Sequence, residues 1–161
     1  MVRLIPMSET EFDMYLESSV QDYAQEHVKA GNWNAEKAMQ LAEQSFHKLL
    51  PDGFATQNQH LLSIEDETLG TKVGILWFAV QDHEAEPRAF VYDVQIYEQF
   101  RQRGYGTQAF QALEEKVQKL GLSTITLHVF GHNHAARAMY EKLGYVTIDL
   151  IMSKTLKVKS G

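Results

Sequence analysis

The stretch "FRQRGYGTQAF", residues 100–110, decides how the chain is read. Arg101 and Arg103 lead into glycines at 104 and 106, and apolar residues at helical spacing follow at once. Glycine lets backbone N–H groups come close to a ligand. The first turn of a helix offers unpaired donors and the positive end of its dipole, and arginines add charge-assisted hydrogen bonds to phosphate. The segment is therefore a candidate phosphate cradle, and equally a tight strand-to-helix turn with exposed arginines. "GYGTQA" formally satisfies the dinucleotide pattern G-x-G-x-x-G/A. Its context fails, because that pattern opens the first strand-helix turn of a doubly wound sheet, with an acid about 20 residues on. Here it begins near residue 104, the next strand carries His128, and too little chain remains. The phosphate loop G-x-x-x-x-G-K-[ST] also fails, since no lysine stands directly after Gly106.

Working outward, "RLIP" reads as a short strand stopped by Pro6, and Ser8 stands three residues before Glu11 as a capping box does. Phe12, Leu16, Val20 and Tyr23 continue a helix that Gly31 ends; Asn34 is the expected cap of a second helix, with Ala38, Ala42, Phe46 and Leu49 on its stripe and "PDG" at 51–53 closing it. "HLLSIEDETLGTKVGILWFAV" reads as a hairpin around an acidic turn, and "VGILWFAV" as a central strand, apolar on both faces. "RAFVYDVQIY" is a further strand. Phe110, Leu113, Val117 and Leu120 form one face of the helix after the glycines, closed by Gly121. "STITLHVF" is the next strand, Asn133 caps the helix "HAARAMYEKL", Gly144 ends it, and "YVTIDLIMSKTL" supplies a closing strand. The order β-α-α-β-β-β-α-β-α-β predicts a mixed α/β fold, with a central sheet made partly parallel by its strand-helix-strand unit. One domain over residues 1–161 is expected.

Composition narrows the classes. Hydrophobic residues make up 44% and charged residues 22%, as in ordinary globular proteins. With 0 cysteines, disulfides, thiolate metal sites and cysteine nucleophiles are excluded. A net charge of −6 argues against nucleic acid as a partner. No apolar run approaches the ~18 residues of a membrane span, so no membrane partner is expected and the expected location is cytoplasmic.

"RQRGYGT" resembles the R/Q-x-x-G-x-G/A signature of the GNAT superfamily of N-acetyltransferases, and "LHVFGHNHAARAMYEKLGYV" resembles the later N-x-x-A-x-x-x-Y-x-x-x-G-F/Y block of the same family. The two lie in the right order over essentially the whole chain. The resemblance implies the GNAT acyl-CoA N-acyltransferase fold, with acetyl-CoA as acetyl donor. Its pyrophosphate would rest on the backbone amides of Gln102, Arg103, Gly104, Tyr105, Gly106 and Thr107, with Arg101 or Arg103 adding charge. Pantetheine would run beside Val94, Gln95 and Ile96, in a slot where that strand and "TITLHVF" splay apart. Asn133 matches a position that contacts the pantetheine arm, and Tyr140 matches the general acid that protonates the leaving thiolate.

Acetyl transfer to an amine also needs the amine neutral, and a lysine-type amine has a pKa of about 10.4. A general base would raise the reactive fraction. His128 stands where some relatives carry a glutamate, and imidazole titrates in the right range. Asp93, a charge within an apolar strand, is the second candidate, and a water relay the third. Tyr140 could also simply pack on the sheet with Ala136 and Leu143, and His128 and Asp93 could be structural. His128, His132 and His134 share no helical face and no carboxylate completes a metal site by sequence, so no metal is expected. In this fold the first two helices wall the acceptor side. That points to Trp33 and, more weakly, Tyr23, with Glu26 and Glu36 able to attract a cationic small-molecule or protein amine. The expected activity is acetylation of a primary amine by direct attack in a ternary complex. The alternative is a non-catalytic acyl-CoA-binding sensor. A homodimer is possible, although no exposed stripe in the sequence demands one.

Overall fold

Ser8 starts the first long helix as its spacing to Glu11 predicts. The Ser8 hydroxyl accepts a hydrogen bond from the Glu11 amide, and the Glu11 carboxylate accepts one from the Ser8 amide. In the computed structural model, which describes residues 1–158, this helix is α1 (Glu9–Lys29), after strand β1 (Val2–Pro6). Then come α2 (Ala38–Leu49), β2 (Gln59–Asp66), β3 (Thr71–Gln81), β4 (Arg88–Ile96), α3 (Tyr105–Lys119), β5 (Ile125–Leu127) and α4 (His134–Lys142). The last three residues of the expected 1–161 domain lie outside the described residues. The strands form one mixed sheet in the order β1-β2-β3-β4-β5, antiparallel except for the parallel β4/β5 pair. The strand-helix-strand unit built by β4, α3 and β5 supplies that parallel pair, as its pattern implies.

The β3 run is apolar on both faces because both are covered. Val73, Leu76 and Phe78 pack with Ile64, Val91 and the α3 residues Phe110, Leu113 and Val117. Ile75 and Trp77 face the other way, against Leu61, Phe12, Tyr15 and Phe46 under α1 and α2. Each such side chain contributes about 1.5–3 kcal/mol of burial. Gly74 is obligatory for a local reason: a Cβ there would lie 2.1 Å from the Gln95 carbonyl oxygen. Its absence lets β3 and β4 stay paired as far as Gly74 and Ile96, at the end of β4 where the glycine loop begins.

Four expectations are corrected. Asn34 does not cap α2; its side chain accepts from the Glu36 amide in a local turn, and Lys37 occupies the cap. Leu120 caps the end of α3 and is exposed rather than on its buried face. The strand expected at 123–130 is reduced to Ile125–Leu127. The closing strand does not form among the described residues: residues 146–158 are exposed and make no backbone hydrogen bond there. No helix among the described residues is long and apolar enough to cross a membrane.

Glu11 also ties α1 to the sheet. Lys72 and the Ser63 hydroxyl both donate to its carboxylate. Burial alone would raise its pKa, but these donors and Ser8 outweigh it and lower the value from 4.5 to about 2. A lowered carboxyl stabilises the fold above the unfolded pKa and loses that contribution as pH falls through the folded one. Glu11→Gln should therefore lower the urea midpoint at pH 7, and the gap to wild type should close as pH falls from 4.5 to about 2. A gap independent of pH would contradict the ionic origin.

Candidate functional site

The site is built where β4 loses its second neighbour. β5 pairs only with the first part of β4, through Ala89↔Ile125, Phe90↔Thr126 and Val91↔Leu127. From Tyr92 to Ile96, β4 keeps β3 on one side and has no strand on the other. The parting coincides with an irregularity: Phe78 pairs with Val91 and Trp77 with Asp93, leaving Tyr92 as an extra residue. Such bulges bend a strand and re-aim its side chains. Tyr92 consequently packs toward α1 and α2, while Val91 and Val94 pack toward α3.

The freed half of β4 runs straight into the glycine loop. Arg101 Nε donates to the Ile96 carbonyl oxygen at 2.9 Å, tying the loop to the strand end. Gln102 (φ 62°) and Gly104 (φ 81°) then turn the chain through the left-handed region into α3. No side chain caps α3. Its first helical bond runs from the Gln108 amide to Gly104 O, so the Tyr105, Gly106 and Thr107 amides have no backbone partner. By contrast, Ser8 caps α1 and Asn133 caps α4. These three donors, with the helix dipole behind them, suit an anion. Arg103 lies over the Phe100 ring at the same loop.

Two residues of this stretch also serve the fold. The Tyr105 hydroxyl turns inward and donates to Asp66 Oδ2 at 2.5 Å, pinning the start of α3 to the end of β2 and lowering the Asp66 pKa. A Cβ on Gly106 would lie 2.9 Å from Met139 Sδ, so this glycine also lets α3 approach α4. Between those helices, Thr107, Ala135, Ala138, Met139, Lys142 and Leu143 line a groove of about 490 Å³, which places the Thr107 side chain at its edge.

Asp93 is held on the α1 side of β4. The Tyr15 hydroxyl and the Gln95 side-chain amide both donate to its Oδ2, at 2.7 and 2.8 Å. Burial raises the Asp93 pKa against those donors. Burial also raises the Tyr15 pKa, with the Asp93 charge adding to the effect. Tyr140, on α4, packs edge-on against Phe110 and Tyr145. Burial first, and then the Asp93 charge, push its phenol up to about 12. Its proton therefore stays in place at neutral pH, and the structure brings Tyr140 within the field of Asp93.

His128 lies exposed just beyond β5, edge-on to Phe130. Trp33 is half-buried as the anchor of the α1–α2 loop, stacked on His27 with centroids 4.0 Å apart. Tyr23 touches Trp33, His27 and Phe46 edge-on. His27 in turn meets Phe130 edge-on, so a run of rings joins the end of α1 to the segment after β5. Burial, then His128, lower the His27 pKa. Sequence reasoning missed His27, although its i, i+4 spacing from Tyr23 was readable. It also missed the pairing of His132 Nε2 with Glu26 Oε2 at 2.5 Å. Asn133 accepts from the Ala136 amide as the α4 cap, and His134 is the first residue of that helix.

The parting parallel strands, the uncapped helix and the glycine loop at its start are the acyltransferase architecture that the sequence motifs imply. The chain belongs to the acetyltransferase (GNAT) family, whose model matches residues 18–145. It is 41% identical over 157 residues to the uncharacterized N-acetyltransferase YycN of Bacillus subtilis (strain 168), covering 96% of this chain and 99% of that one. A second uncharacterized N-acetyltransferase of that organism, YdgE, is 33% identical over 150 residues, covering 93% and 95%. The crystal structure of YycN superimposes with a TM-score of 0.92 over 98% of this chain and 100% of that chain. The protein is thus an acetyltransferase enzyme.

Tyr15→Phe should destabilise the fold by about 1–3 kcal/mol by removing a donor from the buried Asp93 carboxylate. The deficit in urea unfolding should be larger at pH 8 than at pH 5, because the hydroxyl serves the ionised form. An equal deficit at both pH values would contradict that role.

Proposed function

We propose that the protein transfers the acetyl group of acetyl-CoA to a primary amine by direct attack in a ternary complex. The observation that carries this reading is the set of open Tyr105, Gly106 and Thr107 amides at the end of the β4 half that β5 leaves free. The donor set fits a pyrophosphate: backbone N–H groups at a helix start, with Arg103 beside them. Acetyl-CoA, when bound, supplies the acetyl group as a thioester.

The chain's own residues do the rest. Amides from Gln102 to Thr107 hold the phosphates. Arg101 acts through the loop, since its Nε is committed to Ile96 O. The side of β4 at Val94, Gln95 and Ile96 that no further strand covers orients the pantetheine arm, with Ile96 O already held by Arg101. Asn133 spends its side-chain oxygen on the α4 cap and offers its side-chain N–H₂ to that arm. Tyr140 carries its proton at neutral pH and delivers it to the departing sulfur. His128, exposed beyond β5, takes the proton from the attacking amine. Asp93 positions the slot through Tyr15 and Gln95, and its charge helps Tyr140 keep its proton. Tyr23 and Trp33 shape the acceptor wall, where Glu26 adds negative charge for a cationic amine.

The test is a panel of primary amines assayed by thiol release. Tyr140→Phe should lower kcat on the order of 100-fold, with the KM for acetyl-CoA little changed. An indifferent Tyr140→Phe, or no thiol release with any amine, would favour a binding module that senses acyl-CoA. The base is assigned by pH profiles. The rise in kcat/KM with pH should disappear in His128→Ala and persist in Asp93→Asn, and the reverse result would give the role to Asp93.

A further inference from the structure

Tyr15, Ser19 and Asp22 stand at i, i+4 and i+7 on α1 and so share one face of the helix. Tyr15 and Ser19 are buried on that face, and Asp22 stands exposed at its rim. The face meets β4 in the half that β5 leaves free. There the Tyr15 hydroxyl and the Gln95 side-chain amide donate to Asp93 Oδ2, at 2.7 and 2.8 Å. Both side-chain donors go to one oxygen, and Asp93 Oδ1 receives neither.

Ser19 is the odd member of this group. It is only 3% exposed, yet its hydroxyl has no hydrogen-bond partner. A buried hydroxyl left unpaired costs stability, and its neighbour Ser18 avoids that cost by donating to Tyr15 O at 3.1 Å. The Ser19 hydroxyl lies toward the Tyr15 phenol: burial and Asp93 raise the Tyr15 pKa, and Ser19 works against them. Asp22 bears on the same place. After burial, its charge is a further cause raising both the Tyr15 and the Asp93 pKa. Among the described residues, no lysine, arginine or histidine pairs with Asp22 or Asp93. An unpartnered buried hydroxyl therefore shares a recess with two carboxylates that no cation of the chain neutralises.

We infer that Ser19, Asp22 and Asp93 form the seat of an ammonium group, and that the acceptor is a short aliphatic diamine held by one amine while the other is acetylated. The acceptor assignment rests on the acetyl-transfer reading above. An ammonium has three N–H donors, and Asp93 Oδ1, the Asp22 carboxylate and the Ser19 oxygen supply three acceptors. The seat does not suit the reacting nitrogen. Two carboxylates favour the charged form of an amine, whereas the nitrogen that attacks must be neutral. The seated and the reacting amines are therefore different groups of one molecule. The Asp93 charge reaches the Tyr140 phenol, which serves the departing sulfur in that reading, so a short carbon chain spans the two ends.

Calorimetric titration of the full chain with putrescine, a four-carbon diamine, and with butylamine, its one-amine counterpart, tests the seat. Thiol release with the same two amines tests transfer separately. Putrescine should bind at least about tenfold more tightly than butylamine. Asp22→Asn and, separately, Ser19→Ala should each bring the affinity for putrescine down toward that for butylamine. Asp22 lies at the surface, so its substitution leaves the core intact. Asp13→Asn, which removes an exposed carboxylate from the opposite side of α1, should keep the preference. Equal binding of the two amines, binding of neither, or a preference that survives Asp22→Asn overturns the inference. A putrescine preference without thiol release sustains the ammonium seat but overturns the transfer reading and the acceptor assignment with it. Acetylation of both amines at equal kcat/KM overturns the seat and leaves the transfer reading standing.

Discussion

The structure depends on the two unequal partnerships of β4. β3 holds the strand to its end, where Gly74 permits the close approach to Gln95. β5 holds only its first three paired positions. A strand held by one neighbour and released by the other is fixed in place yet has free backbone groups along one side. The glycine loop starts where β4 ends, so the open amides of α3 sit at one end of that free side. Anchoring the loop through Arg101 to Ile96 O and the helix through Tyr105 to Asp66 makes the donors rigid. Rigid donors lose little freedom on meeting an anion, which is what a binding site built from backbone requires.

Electrostatics give the two flanking groups different tasks. Asp93 is buried but receives two side-chain donors, so it is constrained in position rather than free to swing. Tyr140 has no such donors and is shifted by burial and by the same carboxylate. One group is tied down by its two donors, and the other keeps its phenol proton at neutral pH.

Most of the fold was legible because its signals are local. The Ser8–Glu11 box, the apolar β3 run and the glycines at 104 and 144 each act within a few residues, and each stands where its chemistry predicts. Other features are not local. The extra residue at Tyr92 breaks the alternation of β4 only in relation to β3. The inward turn of Tyr105 depends on Asp66, and the tightness at Gly106 depends on Met139; both glycines of the loop looked like ligand requirements from sequence. The segment "YVTIDLIMSKTL" reads as strand by its alternation, yet no strand forms there among the described residues, because alternation says that a face could be covered and not that an edge covers it. His27 went unnoticed because its partners, Trp33 and Phe130, meet only in three dimensions.

The most direct test of the account is an amide-resolved NMR titration of the protein with acetyl-CoA. The Tyr105, Gly106 and Thr107 amides should show the largest shifts, with Val94, Gln95 and Ile96 responding in the same titration. Binding with those three amides unmoved, or no binding at all, would contradict the claim that the open start of α3 is the phosphate cradle.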